Sequence, residues 1–78
     1  MRGYSKDNPF QKERSELGDT IKRIRKQKGL TQEKLAERVD ADVSYLAKIE
    51  NGYVNTSIRY LIKISRGLGV KVKDLFGF

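Results

Sequence analysis

Gln32-Glu-Lys-Leu-Ala-Glu-Arg-Val-Asp-Ala-Asp-Val-Ser-Tyr-Leu-Ala-Lys-Ile-Glu-Asn51 is the stretch whose reading decides the fold. Leu35, Ala36 and Val39 fall on one side of a short helix that opens at Gln32. Asp40-Ala41 breaks that helix, and Asp42 is placed to cap another that runs to about Asn51. In this next helix Leu46 and Ile49 point inward, while Val43, Ser44, Ala47 and Lys48 are left for its other side. Gly52 follows at the position where a helix stop takes positive φ.

Two short helices joined by about three residues, the second presenting small polar groups, describe a helix-turn-helix. Upstream, Leu17, Ile21 and Ile24 recur at the spacing of a surface helix, with Lys22, Arg23, Lys26 and Lys28 on its other faces. Gly29 supplies its stop, Leu30 can fold back over it, and Thr31 is available as the next N-cap. Downstream, after a loop from Tyr53 to Thr56, Ser57 caps a fourth helix with Ile58, Leu61, Ile62, Ser65 and Leu68 on one broad face. Gly67 should weaken its last turn by about 1 kcal/mol relative to alanine, and Gly69 ends it. Val70-Lys-Val-Lys alternates like a strand, but a strand without a partner is not stable alone. A short fifth helix from Val72 is therefore expected. Residues 1–16 show no convincing period and read as a flexible arm that turns helical from about Gln11, with the domain itself over 17–78.

Seventy-eight residues suffice for one domain with a small core. Seventeen Lys and Arg against ten Asp and Glu give a net charge of +7, which points to a polyanionic partner, nucleic acid or an anionic membrane surface. With neither cysteine nor histidine, the chain lacks thiolate metal sites, disulfides and the commonest general base. No metal, cofactor or small-molecule ligand is expected, and no enzymatic activity. The N-terminus carries no signal-like apolar run, and no run of about 18 apolar residues would span a membrane. A cytoplasmic protein is the expectation. The charge is uneven: residues 31–52 hold three cations and five anions, a net −2, while 17–30 and 53–78 each hold a net +4.

At this point the sequence resembles a known family. Arg25-Lys-Gln-Lys-Gly-Leu-Thr-Gln-Glu-Lys-Leu-Ala36, then Ile49-Glu-Asn-Gly52, then Leu68-Gly-Val-Lys-Val-Lys-Asp-Leu-Phe76, are similar to the lambda-repressor-like (phage repressor/Cro) domains. The resemblance covers residues 17–76 and implies an all-α, compact five-helix DNA-binding fold. It implies base contacts from Val43, Ser44, Ala47 and Lys48, and phosphate contacts from Gln32 and Asn51. It also implies an ion pair of Arg25 with Glu50, tying the first helix to the third. Tyr45 has two readings, a ring packed on the core or a hydroxyl that reaches a phosphate. Val43 and Ala47 donate no hydrogen bond but suit thymine methyl groups, and Lys48 suits a guanine edge or a phosphate.

Three residues depart from the family pattern. Asp40 stands at the usual turn glycine, Asp42 at a cap usually Ser or Thr, and Thr56 where proline is frequent. Asp42 caps well but brings negative charge toward DNA.

The function expected is a small stand-alone transcriptional regulator, acting as a homodimer on double-stranded DNA with an inverted-repeat operator. Ile62, Leu75, Phe76 and Phe78 are the dimerisation candidates, with closure of the monomer core as the other reading of Leu75 and Phe76. The alternative is a protein-interaction module of the same fold, such as an antitoxin-like or adaptor protein. Salt dependence separates the two, because binding through Z phosphates gives a log–log slope of about −0.9Z.

Overall fold

A computed structural model describes residues 10–78. Among them are four α-helices, α1 (Gln11–Gln27), α2 (Gln32–Arg38), α3 (Val43–Glu50) and α4 (Ile58–Leu68), and a 3-10 helix (Val72–Phe76). The expected count of five α-helices is thus corrected to four. The last segment is five residues long, too short to settle into α geometry. Asp74 N–H reaches Lys71 O at 2.9 Å, and the Asp74 carboxylate accepts from Lys71 N–H at 3.0 Å.

The helix boundaries inside the central stretch follow local chemistry. Thr31, Asp42 and Ser57 cap α2, α3 and α4, accepting from the backbone N–H of Lys34, Ser44 and Tyr60 at 3.0–3.1 Å. The C-terminal turns of all four α-helices share one pattern of two backbone bonds. After α1 these are Leu30 N–H to Arg25 O and Gly29 N–H to Lys26 O, both 3.0 Å. After α2, Ala41 N–H reaches Ala36 O at 2.9 Å around Asp40, whose φ of 54° is left-handed. Aspartate tolerates that region better than most residues, so the turn forms without glycine.

α1 starts earlier than its apolar stripe. Its first turn begins at Gln11, where the arm was expected to turn helical, so the edge drawn at Leu17 lies within the helix. No local signal marks the start: Phe10, at the N-cap, has φ 68° and no side-chain capping bond. The part of the proposed arm over residues 1–9 lies outside the described residues.

The core is built from Ile21, Ile24, Leu35, Ala36, Val39, Leu46, Ile49, Leu61, Ile64, Leu68 and Leu75. α3 packs between α1 and α2, α4 covers α2, and the 3-10 helix closes over α1 and α4. Leu46 is wholly buried, and its truncation to alanine would cost about 2–5 kcal/mol. On α4, Leu61, Ser65 and Leu68 of the expected face are buried, but its two isoleucines are not. Ile64 is fully buried, whereas Ile58 is 65% exposed and Ile62 also faces outward. Both faces of this helix carry isoleucine, so periodicity alone does not tell which one the core covers.

Candidate nucleic-acid interface

α3 is held from behind by a polar clasp. Arg25 donates from Nε to Glu50 Oε2 at 2.7 Å and from Nη2 to Oε1 at 3.0 Å. Its third nitrogen, Nη1, donates to Leu30 O at 2.7 Å, and Gln32 Nε2 donates to Glu50 Oε1 at 2.9 Å. The ion pair implied by the resemblance is therefore a two-pronged contact, with the Glu50 side chain wholly buried. Arg25 makes the planar fork-to-carboxylate contact that a lysine would not reproduce. One residue joins the ends of three helices: α1 through Arg25, α2 through Gln32 and α3 through Glu50 itself.

Behind the clasp the backbones touch. A Cβ on Gly18 of α1 would lie 2.5 Å from Ile49 O and 2.4 Å from Glu50 O, so α1 and α3 approach more closely than any side chain allows. Just past this same C-terminal end of α3, Arg14 is buried and donates from Nε to Gly52 O at 3.1 Å and from Nη1 to Asn55 Oδ1 at 3.4 Å. Gln11 braces it, accepting from Arg14 Nη2 at 2.7 Å and donating to Gly52 O at 3.3 Å. Sequence reasoning missed this anchor, because an arginine in a polar stretch gives no sign of the carbonyl it will find across the fold.

With its inner side fixed, α3 presents the rest to solvent. Ser44 and Lys48 are exposed, Val43 and Ala47 half-buried, and Asn51 exposed at the C-cap. These predicted base-contact residues thus come together on the open side of one eight-residue helix. Lys48 makes no ion pair among the described residues. Gln32, at the opening of α2, uses one amide N–H on Glu50 and leaves the other unbonded among the described residues.

For Tyr45 the structure shows ring packing. Its ring meets Tyr60 of α4 edge-on, with centroids 4.9 Å apart at 73°, and its hydroxyl lies 3.5 Å from Thr56 Oγ1. The Tyr60 hydroxyl is buried without a hydrogen-bond partner among the described residues. Burial raises its pKa above the usual 10.0, and the Tyr45 hydroxyl and the Asp42 carboxylate raise it further.

The dimerisation candidates separate. Leu75 is 0% exposed and closes the monomer core, so it is no surface residue. Ile62, Phe76 and Phe78 face outward. Phe76 and Phe78, with Leu17, Ile58 and Leu61, line an apolar groove of about 340 Å³. No helix among the described residues is long and apolar enough to cross a membrane.

This arrangement can be set beside known proteins. The helix-turn-helix family model matches residues 21–75. Control protein C.MunI of a Mycoplasma species is 45% identical over 61 residues, spanning 77% of this chain and 82% of that protein. The crystal structure of the restriction-modification controller protein C.AhdI from Aeromonas hydrophila superposes with a TM-score of 0.82 at 31% identity, over 83% of this chain and 98% of that one. The controller C.Esp1396I, solved as a tetramer in complex with its natural 35 base-pair operator, superposes with a TM-score of 0.71 at 34% identity, over 80% and 92% of the two chains.

Proposed function

We propose, for a chain that belongs to the helix-turn-helix family and is a DNA-binding transcriptional regulator, that it acts as a controller-type homodimer on an inverted-repeat operator. The observation that carries this reading is the Glu50 clasp. A buried ion pair, a close backbone contact and the Arg14 anchor all act on the rear of α3, while Ser44 and Lys48 stand free at its front. A helix positioned this way and inserted in the major groove reads base edges from its first turns. Val43 and Ala47 would lie against thymine methyl groups, Ser44 and Lys48 would supply the polar base contacts, and Gln32 and Asn51 would hold phosphates. The packing of Tyr45 on Tyr60 leaves only its hydroxyl edge for a phosphate.

The pairing of two copies is assigned to the apolar side. Ile62, Phe76 and Phe78, joined by Ile58, present large hydrophobic groups without cover. To read such an operator, two copies paired there would have to hold their α3 helices about one DNA turn apart. Similarity to the controllers C.MunI and C.AhdI supports the controller role, and the cytoplasm is the compartment in which such a protein would meet its DNA.

Selection from a random duplex library at physiological salt tests the reading. The expected result is a consensus with two-fold symmetry. Recovery of unselected sequence, or binding without the steep salt dependence of phosphate contacts, would overturn it.

A further inference from the structure

We propose that Asp42 reads a cytosine in each half-site, using the carboxylate oxygen that its capping bond leaves over. The inference rests on the DNA-reading function above and adds a specificity-determining residue to it. Asp42 Oδ1 accepts the Ser44 N–H at 3.1 Å, which holds the carboxylate at the leading end of α3. Its other oxygen has no hydrogen bond or ion pair among the described residues, and the residue is exposed. Asp42 immediately precedes Val43 and Ser44, at the end of the helix that enters the groove first.

The chemistry then narrows the partner. An ionised carboxylate only accepts hydrogen bonds, so a phosphate, which is an acceptor carrying negative charge, repels it. Within the major groove the donors are the amino groups of cytosine N4 and adenine N6. Adenine sets its N7 acceptor beside that amino group, whereas cytosine offers the donor alone. Guanine presents N7 and O6 and thymine presents O4, all acceptors that a fixed carboxylate disfavours. A cap of serine, whose hydroxyl both donates and accepts, would not discriminate between bases at this position. Aspartate in its place makes the approach selective, because the negative charge is tolerated only where a donor faces it.

Two variants that keep a capping side chain test the idea. Asparagine and serine both cap helices well, so Asp42→Asn and Asp42→Ser should fold as the wild type does. In the wild-type selection, one position per half-site should favour cytosine over guanine by about tenfold. Asp42→Ser should lose that preference at that position alone. Asp42→Asn, whose amide can donate, should relax or redirect it. Placing 2-pyrimidinone, cytosine without its amino group, at that position should weaken wild-type binding and leave Asp42→Ser unaffected. A wild-type consensus that stays unchanged in both variants overturns this proposal alone, since Asp42 would then only cap. A wild type that selects no consensus overturns the operator-reading function itself, and this proposal with it.

Discussion

The contact between α1 and α3 and the contact between α2 and α4 both close over a glycine, but they press on different things. Gly18 meets the backbone carbonyls of Ile49 and Glu50. Gly67 meets the ends of side chains, with an added Cβ 2.4 Å from Val39 Cγ1 and 3.1 Å from Leu35 Cδ1. Backbone against backbone leaves no rotamer to adjust, so the first contact sets the position of α3 rigidly. The second presses on side chains, where the far end of Leu35 can turn aside but the buried, β-branched Val39 has little freedom. The buried Arg25–Glu50 pair lies on the rigid side. The reading helix is therefore tied most firmly to α1.

The largest effect that would break this contrast comes from Gly18→Ala. A methyl group there forces α1 from α3 and loosens the ion pair behind it, a loss on the order of 5 kcal/mol. Circular dichroism during thermal melting should show little cooperative folding left. Gly67→Ala should cost about 1 kcal/mol, since strain against Val39 is partly offset by better helix propensity. Equal losses in the two variants would mean that the two contacts are alike.

Next in size is Arg25→Ala, which strands a buried carboxylate with only the Gln32 amide for company. A drop of about 3–5 kcal/mol in urea unfolding is expected. Arg25→Lys should recover only part of it, because one ammonium cannot make both prongs. Full recovery by lysine would show that charge, and not the planar fork, holds α3.

Asp40→Gly should have the smallest effect and the opposite sign. The left-handed turn after α2 would lose its strain, partly offset by the greater freedom of glycine when unfolded, for a gain of about 0.5–1 kcal/mol. The urea midpoint should rise with an unchanged slope. A fall would mean that the Asp40 side chain stabilises the turn by some contact of its own.

Much of the fold was legible because its signals are local. Thr31, Asp42 and Ser57 mark helix starts through bonds that reach only two or three residues along the chain. Gly29 and Gly52 mark stops through the sign of φ. The Arg25–Glu50 pair came only from family resemblance, since 25 residues separate its partners. The contacts of Arg14 and the need for Gly67 were not legible at all. Propensity describes Gly67 as a weak point of α4, whereas its place against Val39 makes the missing side chain the feature that packs.

By itself, the sequence determined where three of the four α-helices begin, where the helices stop, and that a basic chain keeps a nearly neutral reading helix in its middle. These follow from capping, backbone sterics and charge, which act over neighbouring residues. Tertiary structure alone decided that Ile64 and not Ile58 or Ile62 enters the core, that Leu75 seals it, and that Arg14 anchors the end of α3. Burial depends on what lies opposite, and that partner is supplied only once distant helices have met.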